Sequence, residues 1–160
     1  VSQLSSLLKQ LEYEVTDFPR AYNTDYDLWL VNLDLCARRN GQHLLIQVKT
    51  PYETPEAVGW MAVSDFVNAV SVWAQYQQEE LGEHEIAQRA LLLILMDDVQ
   101  EDETFTMGVK REGIGALHLT YRDLMEATHP MFDLDDDPTV QRLTQAIEAA
   151  MMSPQESQRA

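Results

Sequence analysis

The chain has 160 residues, enough for one domain with a well-filled core and too few for two domains of ordinary size. Its 27 acidic residues against 11 basic ones give a formal charge of -16 and a pI near 4.4, which excludes a protein that coats nucleic acid through surplus Lys and Arg. A single cysteine, Cys36, excludes an internal disulfide and a thiolate zinc cage, and points to a reducing interior.

Leu4, Leu7, Leu8 and Leu11 share one helical face, which predicts a helix over about 2–11. Tyr13 and Val15 then alternate with polar residues as a short strand ending before Pro19. Residues 26–38 are dense in Leu, Val, Trp and Tyr, and 42–49 (QHLLIQVK) are again strand-like, with Asn40-Gly41 between them. Both central residues of a type I′ turn need positive φ, which Asn and Gly tolerate best, so this pair predicts a hairpin. The register follows from that turn: Arg39 opposite Gln42, Asp34 opposite Gln47 and Asn32 opposite Lys49. By strand alternation Asn32, Asp34, Gln47 and Lys49 share one face, with Leu33, Leu35, Ile46 and Val48 on the other.

Thr54-Pro55-Glu56 reads as a helix opening, with Thr as N-cap and Pro where its missing N–H costs nothing. Val58, Met61, Ala62, Phe66, Ala69, Val70 and Trp73 keep helical spacing to about residue 80, and Leu81-Gly82 is the expected stop. The run ALLLILM (90–96) predicts a strand buried on both faces. It is the longest apolar stretch and falls far short of the roughly 20 residues a membrane helix needs. No basic segment followed by an apolar run opens the sequence, so the expectation is a soluble, cytoplasmic protein without a membrane partner. After an acidic loop at 97–103, Phe105, Met107 and Val109 alternate as a short strand, and 114–121 (IGALHLTY) predicts another. One helical turn is expected at 123–127. Asp137-Pro138 opens a last helix carrying Val140, Leu143, Ile147 and Met151, followed by a flexible tail over 153–160. The whole predicts one α/β domain over 1–152, a mixed central β-sheet flanked by helices on both sides.

The stretch from Asp34 to Lys49, DLCARRNGQHLLIQVK, resembles the core motif of the restriction-endonuclease-like (PD-(D/E)xK) nucleases, in which an Asp on one strand is followed across a hairpin by Glu, any residue and Lys. The spacing is similar to that of Holliday-junction-resolvase-like members. The order of helix, short strand, hairpin and long helix over about 2–121 also matches that fold. Gln47 stands where Glu is usual, a spelling that resembles the Mrr-like branch. The resemblance implies a metal-dependent nuclease-like domain that hydrolyses DNA phosphodiester bonds, with Asp34, Gln47 and Lys49 catalytic. Asp34 and Gln47 would then ligate Mg²⁺, with Mn²⁺ as substitute, and Lys49 would stabilise charge developing around phosphorus. It also implies a homodimer. Gln brings no charge, so a further carboxylate is wanted, for which Glu12, Glu14, Asp25 and Asp27 are the candidates. Asp27 shares strand parity with Leu33 and would face away from Asp34 unless a bulge intervenes.

Simpler readings stand beside these. The polar face of the hairpin could be an ordinary solvated sheet surface. His43, next to the turn, reads as a surface residue, while His84, His118 and His129 lack metal-ligand spacing. Asp133, Asp135 and Asp137 lack the Gly and Glu of a calcium loop, and Asp137 reads as a helix N-cap. Lys110, Arg111 and Arg122, with Arg38 and Arg39, are where a DNA-backbone contact would have to be. Residues 79–103 and 133–137 hold most of the excess acid, and outside them 14 acidic residues face 10 basic ones. That balance allows a weak or partner-assisted contact with DNA. The alternative function is a catalytically weak or inactive acidic α/β module that binds or regulates through protein partners. A third reading sets the nuclease analogy aside and sees a small acidic α+β chaperone or immunity-like protein, with the hairpin an exposed sheet.

Overall fold

The computed structural model describes residues 2–17, 22–23, 28–29, 33–51, 56–77, 89–129 and 133–159. Helix α1 (Ser2–Gln10) buries Leu4, Leu7 and Leu8, the stripe its spacing predicts. The chain turns through Glu12, at φ +70°, into β1 (Glu14–Asp17). Among the described residues, strands β2 (Tyr22–Asn23) and β3 (Leu28–Trp29) pair with each other, as a separate two-stranded sheet. The single strand expected over 26–38 is thereby corrected. Strand β4 (Leu35–Arg39) starts only after a bend at Asp34, whose carboxylate turns back onto the Val48 backbone N–H.

The hairpin forms in the expected register. Asn40 (φ +54°) and Gly41 (φ +76°) both adopt positive φ, and β4 pairs with β5 (Gln42–Lys49) from Arg39 opposite Gln42 to Leu35 opposite Ile46. The five-stranded sheet has the order β1-β4-β5-β6-β7. Its first three strands are antiparallel, while β6 (Arg89–Met96) and β7 (Gly115–Leu119) run parallel to β5. Each parallel connection needs a crossover. Helix α2 (Trp60–Gln77) supplies the first and α3 (Glu103–Glu112) the second.

Helix α3 stands where Phe105, Met107 and Val109 predicted a strand. A strand would put those three side chains on one face. Instead Phe105 and Val109, four residues apart, are buried, and Met107 is 71 % exposed. The ends explain the choice. Asp102 accepts from the Phe105 N–H at 3.1 Å, and Gly113, at φ +68°, closes the other end by donating its N–H to the Lys110 and Val109 carbonyls. The Thr104 hydroxyl, and next the Phe105 N–H, hold the Asp102 carboxyl below the usual carboxylate range. Its contribution is therefore full above about pH 4 and is lost as pH falls through the lowered folded value. The melting-temperature gap between wild type and Asp102→Ala is expected to narrow as pH drops from neutrality into that window; a gap independent of pH would contradict this.

Helix α2 begins at Trp60 and not at residue 55. Val58 is drawn into a parallel bridge with Glu101, its N–H donating to the Gln100 carbonyl (2.8 Å) and its carbonyl accepting from the Asp102 N–H (3.0 Å). The Trp60 N–H then donates to Thr104 Oγ1 at 2.9 Å, so the partner of this helix start is distant in sequence. Residues 54–55 and the expected stop at 81–82 lie outside the described residues. Helix α4 (Tyr121–Thr128) opens on a reciprocal cap between Thr120 and Asp123. After a short 3₁₀ turn (Leu134–Asp136), α5 (Pro138–Arg159) is capped by Asp137, which accepts from the Thr139 and Val140 N–H groups at 2.8 and 3.1 Å. Its helical backbone continues past the expected boundary at 152 and through Pro154.

The sheet is buried on both faces. Leu91, Leu93 and Leu95 of β6 join Leu45, Phe66, Val70 and Phe105 in a core beneath α2 and α3. Leu92 and Ile94 join Leu35, Ile46, Val48 and residues of α1, α4 and α5 on the other side. Each such leucine contributes about 1.5–3 kcal/mol by leaving water. The expected mixed sheet flanked by helices on both faces is thus present. Among the described residues, no helix is long and apolar enough to cross a membrane.

Candidate active site

The site is built on the end of β5 farthest from the hairpin turn. Alternation along β5 sends His43, Leu45, Gln47 and Lys49 to the α2 side of the sheet, and Leu44, Ile46 and Val48 to the other. Helix α2 packs over Leu45, and a cavity of about 300 Å³ lies between the helix and this end of the strand. Gln47 and Lys49 line it from the strand, and Asp65, Asn68 and the small residues Ala62 and Ala69 from the helix. The face is therefore not the fully solvated sheet surface of the simpler reading. Gln47 and Lys49 are both half-buried.

Within this cavity Gln47 Oε1 is a buried acceptor without a hydrogen-bond partner among the described residues. An amide oxygen left so costs about 1–3 kcal/mol in lost solvation, and such an atom calls for a donor, a water or a cation. A metal fits this donor set only loosely. The amide oxygen is a hard ligand without charge, and Asp65 offers an exposed carboxylate at the rim. No group of three or more His, Cys, Asp or Glu residues able to hold a metal occurs among the described residues.

Asp34 reaches the same end of the hairpin. Its N–H donates to the Ile46 carbonyl at 3.2 Å, extending the ladder by one step, and its Oδ2 accepts from the Val48 N–H at 2.7 Å. The carboxylate thus holds the outgoing backbone of β5 between Gln47 and Lys49, and Asp34 is not among the residues lining the cavity. The bend also moves Leu33, expected beside Leu35 and Val48, into the core beneath α2.

The four candidate extra carboxylates divide. Glu14 pairs with Arg38, four residues along β4 from Asp34 and so about 13 Å away at strand spacing. Glu12 lies farther still, in the turn after α1. Asp25, Asp27 and the expected face partner Asn32 lie outside the described residues. Asp65 was missed by the spacing argument. It is the sole charged residue in the 18-residue helix α2, in a chain in which 24 % of residues are charged, and that isolation is a signal readable in the sequence.

Other candidates take structural places. His43 is buried, edge-on to Trp73 with ring centroids 5.3 Å apart, because α2 extends over the hairpin; the surface placement expected for it is corrected. His118 pairs with Glu101 at 3.0 Å, and Arg122 with Glu126 at 3.0 Å. Arg39 lies over the Tyr13 ring at 4.3 Å and donates to the Leu11 carbonyl. Burial pushes the Cys36 thiol up to about 12, which keeps it neutral near pH 7 and unsuited to nucleophilic attack.

No protein-family model matches the chain, and no curated protein matches it. Among solved structures it is similar to the crystal structure of a protein of unknown function, AF1548, with a TM-score of 0.47 and 12 % identity over 98 % of this chain and 93 % of that one.

Proposed function

We propose that the chain is a restriction-endonuclease-like domain that hydrolyses DNA phosphodiester bonds with a weakly held divalent cation. The observation that carries this reading is the buried, unpartnered Gln47 Oε1 beside Lys49 in one cavity. The element order supports it: a helix, a three-stranded antiparallel meander, a crossover helix and a parallel strand. In this reading the Lys49 ammonium stabilises negative charge gathering on the phosphoryl oxygens. The Gln47 amide oxygen and the Asp65 carboxylate would hold the cation, Asp65 supplying the charge that Gln47 lacks, and Asp34 fixes the backbone that carries both β5 side chains. When bound, Mg²⁺ or Mn²⁺ supplies Lewis-acid charge beside the scissile phosphate. Contact with DNA is weak or partner-assisted, since the overall charge is -16 but the acid excess lies in 79–103 and 133–137.

One observation favours a second reading. Asp34 Oδ2 is engaged by the Val48 N–H, so the motif's Asp has a structural task without any metal. On that ground the fold would serve as an acidic binding or regulatory module acting through protein partners. Incubation of duplex, branched and single-stranded DNA with the protein and Mg²⁺ or Mn²⁺ separates the two. Cleavage that a chelator stops supports hydrolysis; intact DNA under every metal condition supports the binding module.

A further inference from the structure

The exposed large apolar side chains of the described residues are Trp60, Met61, Met107, Tyr121 and Met125, and three of them gather where the start of α2 meets α3. Met61 is 76 % and Met107 71 % exposed. Beside Met107 an open groove of about 460 Å³ is lined by Trp60, Thr104, Met107, Gly108 and Arg111. The groove is a built feature. A Cβ at Gly108 would come within 2.7 Å of the Trp60 ring, so glycine is what lets the indole lie against α3. Thr104 Oγ1 holds the Trp60 backbone, and the Arg111 guanidinium lies 5.9 Å from the ring centroid. Trp, Met and Arg are the residues enriched at protein interfaces, where they carry much of the binding energy.

The charges around the groove say what covers it. Glu103, Met107 and Arg111 form one exposed stripe at four-residue spacing along α3, with the acid and the base equidistant from Met107. Such a stripe complements itself when a second α3 runs antiparallel to it. We propose that this face is an isologous homodimer interface, with α3 packed antiparallel on its copy about a two-fold axis at Met107. Each Glu103 then faces the partner's Arg111, and the two Met107 side chains meet on the axis, between the two grooves they line. The two helix dipoles oppose one another, and within the stripe each acid meets a base. The nuclease resemblance implies a homodimer without saying which face forms it; the proposed face stands on its own residues, since the Gln47 and Lys49 cavity shares no lining residue with this groove.

Sedimentation velocity on the purified chain tests it. The wild type is expected to be a dimer at tens of micromolar, and Met107→Asp to weaken association at least tenfold. Glu103→Arg and Arg111→Glu should each lose the dimer by placing like charges opposite one another. An equimolar mixture of those two variants should regain it, since every contact in the mixed dimer is again acid against base. Circular dichroism of each variant confirms that it is folded. A monomeric wild type at this concentration, as expected if the groove takes a different protein, overturns the proposal. So does an intact Met107→Asp dimer, or a mixture of folded charge reversals that stays monomeric.

Discussion

On the proposed nuclease reading, Lys49→Ala is expected to lower metal-dependent DNA cleavage about 10²–10³-fold, the cost of removing one preorganised group that would stabilise transition-state charge. The position justifies an effect of that size. Lys49 lines the same cavity as Gln47 and is half-buried, and among the described residues it takes part in no ion pair that would hold its ammonium elsewhere. Its strand is held on one side by β6, with Lys49 opposite Leu95, and on the other by the Asp34 carboxylate at the Val48 N–H. Lys49→Arg should restore only part of the rate, because a planar guanidinium does not occupy the space of a compact ammonium. Single-turnover rates at saturating Mn²⁺ measure both. A rate unchanged in Lys49→Ala would remove this residue from the chemistry.

Phe105→Ala is expected to destabilise the fold by about 3–5 kcal/mol, a large part of the roughly 5–15 kcal/mol that holds an ordinary domain. Phe105 is fully buried, among the largest side chains with no exposure, and lies in the core beneath α2 and α3 with Val63, Phe66 and Val70. Truncation leaves a ring-sized void in a face that rigid helices cannot easily collapse upon. Urea denaturation followed by circular dichroism measures the change. A loss under about 1 kcal/mol would mean that α3 does not pack as described.

The parts of the fold that could be read from the sequence were those decided by local chemistry. Asn40-Gly41 needs positive φ at both positions, and from that turn the hairpin register followed residue by residue. The Asp137-Pro138 helix start was legible for the same reason, since its capping bonds run only two and three residues forward. What failed depended on distant partners. The start of α2 was displaced to Trp60 by a bridge from Val58 to Glu101 and by the Thr104 hydroxyl, neither of which is near in sequence. Phe105, Met107 and Val109 fit a strand and a helix about equally as a pattern. Asp102 and Gly113 at the two ends were the better signals. At the site, parity alone brought Gln47 and Lys49 together, and the bend at Asp34 drew its carboxylate onto backbone. Asp65 comes from a helix whose approach to the sheet no strand pattern encodes.

The most direct test of the Gln47 and Lys49 site is a Mn²⁺ titration of the melting temperature of wild type and Gln47→Glu. The two side chains have nearly the same shape, so the change adds a charge where a buried oxygen already lacks a donor. Without metal the variant is expected to melt below wild type, because taking a carboxylate out of water is costly even with Lys49 in the same cavity. With Mn²⁺ it should recover and bind the ion roughly tenfold or more tightly than wild type, as added ligand charge does at oxygen sites. A variant whose melting temperature Mn²⁺ leaves unmoved would contradict a cation site at Gln47.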